Sequence, residues 1–208
     1  MSNALAVVIL AAGKGTRMNS SKPKVLHELA GLPLISHVLL SVKALKPKET
    51  VVVLSHEQEE VKSVLHGVHI AYQAEPLGTG DAVKAAFQKL DHFDGTVLVT
   101  YGADPLIGIE TLEKMVMARA IENPPDVVVF GFKTQTPKGY GRLLQNAEGR
   151  LQKIVEASEA ESLEQSIELY NGGAMAIDAK KLPVFLDALE ATNSKGEYYL
   201  TDIIESAN

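Results

Sequence analysis

The chain has 208 residues, 46% of them hydrophobic and 22% charged, which suits one soluble domain with a substantial buried core. The formal net charge of -6 argues against a nucleic-acid surface, where a basic face is expected, but leaves room for a phosphorylated ligand held by a few local cations. No cysteine is present, so disulfides and thiolate metal sites are excluded.

The first apolar run, Leu5–Leu10, is short and ends in glycines and cations. A secretory signal needs basic residues ahead of a longer apolar stretch, so this run reads as a buried strand. No segment approaches the roughly 20 apolar residues that span a bilayer. A cytoplasmic protein with no membrane or nucleic-acid partner is expected. Leu34–Leu45 carries apolar residues at Leu34, Ile35, Val38, Leu39, Val42 and Leu45, the spacing of one helix face. Strand-like Thr50–Ser55 follows, then helix-like Glu57–Leu65, strand-like Val68–Tyr72 and helix-like Gly80–Leu90. Thr96–Tyr101, Glu110–Ile121 and Asp126–Phe132 continue the alternation as strand, helix and strand. Apolar runs without polar alternation predict strands covered on both faces. The expected fold is α/β: a Rossmann-like three-layer αβα arrangement around a mostly parallel central sheet.

After Lys133 the pattern changes. Gly139-Tyr140-Gly141 and Asn146-Ala147-Glu148-Gly149 are turn signals, and Arg142–Gln145 with Arg150–Val155 predicts a β-hairpin beside the main sheet, placed as a lid. Ala179–Leu189 reads as a helix. The six histidines show no H-E-x-x-H spacing, so a zinc hydrolase is not expected.

The first strand empties into Ala11-Ala12-Gly13-Lys14-Gly15-Thr16-Arg17-Met18. In an open parallel sheet, ligands bind beyond the carboxyl ends of the strands, where this loop lies. Glycines let backbone N–H groups approach an anion, and Lys14, Arg17 and Lys24 add positive charge. It is neither a Walker loop nor a dinucleotide fingerprint, whose third glycine is replaced by Met18. The glycines alone favour a tight turn between strand and helix; the cations and the position move the reading to phosphate.

Leu10-Ala11-Ala12-Gly13-Lys14-Gly15-Thr16-Arg17-Met18, followed by Lys22-Pro23-Lys24-Val25-Leu26, resembles the signature of sugar-nucleotide pyrophosphorylases. The continuation His27-Glu28-Leu29-Ala30-Gly31-Leu32-Pro33-Leu34 resembles the bacterial N-acetylglucosamine 1-phosphate uridylyltransferases in particular. The resemblance implies UTP and N-acetylglucosamine 1-phosphate as substrates, UDP-N-acetylglucosamine as product, and Mg²⁺ as cofactor. Arg17 and Lys24 then act on the phosphates in catalysis, with Lys24 at the transition state. Tyr72-Gln73-Ala74-Glu75-Pro76-Leu77-Gly78-Thr79-Gly80 resembles the base-binding segment. Read from the residues, it is a flexible turn with a capping hydroxyl ahead of a helix. Carried over, Gln73, Gly78 and Thr79 read the uracil, an amide being able to donate and accept at once. Gly141, Glu156 and Asn171 match family segments that meet the sugar, with Asn171-Gly172-Gly173 standing where the family has an Asn-containing turn at the N-acetyl group, and Tyr199 lies in another such segment, although read alone it could simply be a core residue. The remaining implied substrate contacts are Leu10, Ala11, Ala12, Gly13, Gly15, Tyr101 and Gly102.

The family usually carries an Asp two residues before Pro in its Y-G-D-x-P-L segment, as the magnesium ligand. Here the segment reads Tyr101-Gly102-Ala103-Asp104-Pro105-Leu106. Side chains on extended backbone alternate faces, so this displacement either turns the carboxylate away or is absorbed by the backbone, leaving Asp104 as the ligand. The resemblance also implies that residues 1–208 are a nucleotidyltransferase domain lacking its C-terminal end. That end would carry an Asn as second metal ligand. An acetyltransferase half is missing too, so no acetyl transfer is expected, and a monomer is expected. Another sugar nucleotidyltransferase, or a nucleotide-binding module impaired at the metal site, are the alternatives.

Overall fold

The computed structural model describes residues 4–136 and 139–208, apart from the side chain of Arg17. Strand β1 (Leu5–Leu10) is buried at all six positions. Two 3-10 turns, Thr16–Met18 and Lys24–Leu26, follow it. Strands β2 (Glu28–Leu29) and β3 (Leu32–Pro33) then form a minimal hairpin. Its two turn residues, Ala30 and Gly31, have φ of 51° and 82°, the left-handed pair that a tight hairpin uses. Helix α1 (Leu34–Ala44) starts at Pro33 and buries Ile35, Val38 and Val42.

Strand β4 (Glu49–Ser55) comes next. The segment read as helix-like Glu57–Leu65 is instead a 3-10 helix, Glu59–Val64, buried only at Val61. Strand β5 (His69–Gln73), helix α2 (Thr79–Phe87), strand β6 (Thr96–Tyr101), helix α3 (Ile109–Ala118) and strand β7 (Val127–Phe132) match the expected alternation within a few residues. The hairpin is present as β8 (Arg142–Gln145) and β9 (Leu151–Val155), but it extends the main sheet rather than standing beside it. The longest strand, β10 (Tyr170–Asp178), had no distinct signal in the sequence. Short helices α4 (Leu182–Asp187) and α5 (Ile203–Ala207) complete the order.

The sheet runs β5-β4-β1-β6-β10-β8-β9, with β7 also pairing β10. From β5 to β6 every pair is parallel, and β10 pairs antiparallel with β6, β7 and β8. Asn171-Gly172-Gly173 is therefore not a turn but an irregularity inside β10, where the register with β7 shifts between Asn171 and Met175. A Cβ on Gly172 would lie 2.2 Å from the Phe130 ring. Gly173 has φ +87°, and a Cβ there would lie 2.7 Å from the Tyr101 ring. Only glycine fits where the strand bulges past two aromatic rings.

Alternation along β1 divides the core. Ala6, Val8 and Leu10 pack in the cluster that holds Val83, Ala86, Leu182, Phe185 and Ile203, on the side of α2, α4 and α5. Leu5, Val7 and Ile9 pack with Ile35, Val38, Leu112 and Met115, on the side of α1 and α3. Two helical layers thus cover one sheet. Buried Arg119, just after α3, donates to Asp178 at 2.6 Å and to the Pro125 carbonyl, tying that helix end to the end of β10. Among the described residues no helix is long and apolar enough to cross a membrane.

Candidate active site

The carboxyl ends of β1, β5 and β6 open into a cleft of about 510 Å³. Backbone bonds fix its floor: Ala11 N–H donates to Val53 O at 2.9 Å and Gly102 N–H to Leu10 O at 2.9 Å. Leu10, Ala11, Ala12, Gly13 and Lys24 line it from the first segment. Gln73, Gly78 and Thr79 line it from the second, and Tyr101 and Asp104 from the end of β6. Gly141, Glu156, Asn171 and Tyr199 close the far end. The sequence-named residues meet here with four exceptions. Gly102 is behind the cleft, where a Cβ would press on Ala11, Val25 and Ile35. Gly15 is not in the lining and acts one step removed. It has φ +64°, and a Cβ there would lie 2.6 Å from Lys24 Cβ, so its bareness is what lets the Lys24 stem pass. The side chain of Arg17 lies outside the described residues. Lys14, counted with the cations, sits at the surface 3.2 Å from Glu57 and does not line the cleft.

Lys24 is positioned by its neighbours. Val25 and Leu26 are buried on the α1 side of the sheet, and Pro23 starts the turn that carries all three. Gln58 had no sequence signal. It is buried, accepts from Ser55 N–H at 3.0 Å and donates to the Gly13 carbonyl at 3.4 Å, supporting the glycine loop from below.

Asp104 lines the cleft despite its displacement. The chain leaves β6 at Tyr101 and turns, with Asp104 N–H donating to Tyr101 O at 3.2 Å, so the alternation of extended backbone does not apply. Burial pushes the Asp104 carboxyl above the ordinary carboxylate range, and nearby Lys24 pulls it partly back. Among the described residues no group of three or more His, Asp or Glu converges on a metal position. Magnesium commonly keeps several waters and takes only one or two protein carboxylates, with substrate phosphates supplying the rest. Asp104, beside Lys24 just past the end of β6, fits that mode.

Gln73 is 7% exposed, and its Nε2 donates to the Gly78 carbonyl and to Asp81 Oδ2, both at 2.9 Å. Its amide therefore does not offer a donor and an acceptor together, as the sequence reading had it. Only the carbonyl oxygen remains. Thr79 Oγ1 does not cap its own helix. It accepts from Leu200 N–H at 2.9 Å, while Tyr198 N–H donates to Leu77 O at 2.7 Å and Gly80 N–H to Tyr198 O at 2.8 Å. Gly78 has φ +109°, and a Cβ there would lie 2.5 Å from Tyr198 O.

At the far end, burial raises the Glu156 carboxyl, while the Thr201 hydroxyl, donating at 3.4 Å, and Lys195 lower it. Burial and surrounding carboxylates push the Tyr199 phenol up to about 12. Its hydroxyl is buried and has no hydrogen-bond partner among the described residues. Asn171 Oδ1 accepts from Gly173 N–H at 2.9 Å, and Asn171 N–H donates to Gly141 O at 2.8 Å, so the bulge of β10 and the start of β8 are joined. Glu197 and Thr201, from the same matching segment as Tyr199, also line this end, together with Lys195 and Ser158, which carried no motif recognised in the sequence. Lys195, Glu197 and Thr201 reach the cleft through tertiary packing of the segment after α4, and Ser158 from the segment after β9.

A cation and a carboxylate stand beyond the carboxyl ends of the parallel strands of a doubly covered sheet, a buried amide and a helix entry at one side, and polar side chains at the other. That combination suits a nucleotidyltransferase. The MobA-like NTP transferase domain matches residues 7–174, and the chain belongs to that family. Among curated relatives, the "Bifunctional protein GlmU" of Paramagnetospirillum magneticum is 48% identical over 206 residues, covering 99% of this chain and 46% of that protein. The protein of the same description from Rhodospirillum rubrum is 48% identical, covering 97% and 45%, and that from Streptococcus suis 42% identical, covering 98% and 44%. The chain thus spans about half the length of the curated relatives it matches. In fold it is similar to a UDP-glucose pyrophosphorylase complexed with UDP-glucose, with a TM-score of 0.77 at 14% identity, covering 98% of this chain and 86% of that one.

Proposed function

We propose that the chain transfers a uridylyl group from UTP to N-acetylglucosamine 1-phosphate, giving UDP-N-acetylglucosamine and pyrophosphate in the cytoplasm, with a monomer as the working unit. The observation that carries this reading is that one cleft collects Lys24 and Asp104, Gln73 and Thr79, and Glu156 and Asn171, from separate segments. They divide the cleft into a phosphate end, a base side and a sugar end. The relatives' description as GlmU, together with the family, supports the choice of substrates.

An oxygen of the sugar phosphate attacks the α-phosphorus of UTP. The bond from that phosphorus to the bridging oxygen breaks, and pyrophosphate leaves. The protein's part is positioning and charge stabilisation rather than covalent chemistry. Lys24 balances charge on the phosphates, and the backbone of Ala11 to Gly13 approaches them where no side chain intervenes. Gln73 Oε1 accepts from the base. Glu156 accepts from sugar hydroxyls, and Asn171 meets the N-acetyl side. Asp104 would hold Mg²⁺, which supplies a counter-charge to phosphate oxygens when bound.

Pyrophosphate release from UTP and N-acetylglucosamine 1-phosphate, with Mg²⁺ and with chelator, tests this. Magnesium-dependent release that Asp104→Ala abolishes is expected. No release from folded, UTP-binding protein would overturn the reaction and leave a nucleotide-binding module. Release with thymidine or cytidine triphosphate in preference to UTP would move the proposal to another sugar nucleotidyltransferase.

A further inference from the structure

Gln73 and Asp81 form a contact that the reaction above does not use. Gln73 Nε2 carries two hydrogens, and both are committed, one to the Gly78 carbonyl and one to Asp81 Oδ2. A carbonyl and a carboxylate only accept. Turning the amide over would set its oxygen against two oxygens with no proton between them. It would also lose two hydrogen bonds at a residue that is 7% exposed. The amide therefore has one orientation, and the polar atom left for a ligand is Oε1, an acceptor.

We infer that Asp81 is a specificity-determining residue: by fixing the amide of Gln73, it makes the cleft select a pyrimidine with a protonated N3, uracil or thymine, over cytosine. Uracil and thymine carry an N3–H donor at the middle of their pairing edge, and cytosine carries a bare N3 acceptor there. A free glutamine amide would serve either base by rotating. A locked one serves the first and sets acceptor against acceptor for the second, which is how a buried polar group rejects a near-isosteric ligand. Asp81 does not line the cleft and acts through Gln73. Its place follows from local structure. Gln73 ends β5, the chain turns through Gly78, and Asp81 falls in the first turn of α2, where buried Ala82 and Val83 anchor the helix.

This inference rests on the proposal that the cleft binds a nucleoside triphosphate, and its test is separable from the test of the reaction. Equilibrium binding of UTP and of CTP to the whole chain, without sugar phosphate, reads base preference with no turnover. Wild type should prefer UTP. Asp81→Ala removes one of the two acceptors and should lower the UTP-to-CTP preference by about fivefold, the worth of one such bond. In a Gln73→Ala background the same change should leave the ratio unaltered, because the carrier is gone. Asp81→Asn, nearly isosteric and able to donate or accept, should lower the ratio in the same direction and covers the case in which the alanine variant does not fold. An unchanged ratio in the folded single variants, or an equal fall in the Gln73→Ala background, overturns the inference. If wild type binds UTP but releases no pyrophosphate, the reaction fails while the binding ratio still decides the role of Asp81. If it binds neither nucleotide, both fall.

Discussion

Gly15 and Lys24 lie nine positions apart in sequence yet behave as one unit. The loop needs a residue with positive φ at position 15, and the lysine stem needs the space that a Cβ would occupy. Gly15→Ala meets both penalties. The backbone strain costs on the order of 1 kcal/mol, which a domain of this size survives. The displaced lysine is the larger loss, and pyrophosphate release should fall by about 10²-fold, close to the effect of Lys24→Ala, by analogy with removing one donor to transition-state charge. Turnover and Tm measured on both variants check this. A Gly15→Ala enzyme with full turnover would show that Lys24 reaches its position independently. The motif was legible because glycine and cation types recur there; that Gly15 serves Lys24 rather than the ligand was not, since the contact depends on how the two 3-10 turns fold together.

At the level of elements, the entry of α2 is held by a segment more than a hundred residues later in the chain. Thr79 accepts from Leu200 N–H across 121 positions, and backbone bonds join Leu77 and Gly80 to Tyr198. Leu200 is 1% exposed, so its N–H has no recourse to water. Thr79→Val should cost about 1–3 kcal/mol, the penalty for an unsatisfied buried donor, and Thr79→Ser should restore most of it. Denaturant unfolding of the three proteins measures this directly. An intact midpoint in the valine variant would mean that the Tyr198 backbone bonds alone hold the helix entry. Periodicity found α2 and β5 but read Thr79 as a cap for its own helix, because a sequence window sees neighbours in chain and not in space. The same blindness hid β10. Its apolar positions are broken by Asn171-Gly172-Gly173, a turn signal in any window, and only packing against Phe130 and Tyr101 reveals those glycines as the inside of a strand.

For the molecule as a whole, the charge of -6 has a local focus. Behind the sugar end, Glu156, Glu159, Asp202 and Glu205 share a hollow with Lys153, which pairs Glu205 at 3.0 Å. Burial, then the charge of Glu205, pushes the Asp202 carboxyl up to about 6. In the unfolded chain it returns to the ordinary carboxylate range, so the folded state binds that proton more tightly and loses stability as pH rises through about 6. Asp202→Asn should therefore raise Tm at pH 8 and leave it nearly unchanged at pH 4, as thermal melts at both pH values would show. Equal shifts at the two pH values would mean that the gain comes from packing rather than charge.

The sequence by itself determined the alternating α/β order, the two-sided burial of the parallel strands, the phosphate-end loop and most of the residues that line the cleft. Those features are written in short-range patterns: apolar runs, helical spacing, and glycine next to lysine. The tertiary structure decided how the chain turns at the strand ends and what meets between distant segments. It brought Asp104 into the cleft by a turn at the end of β6, committed the Gln73 amide to Gly78 and Asp81, inserted β10 at the junction of the parallel and antiparallel parts of the sheet, and delivered Lys195 and Thr201 to the sugar end. The first two rest on hydrogen bonds between near neighbours that form only where the chain turns at a strand end, and the last two on partners far along the chain that are chosen only when the sheet closes and the helices pack against it.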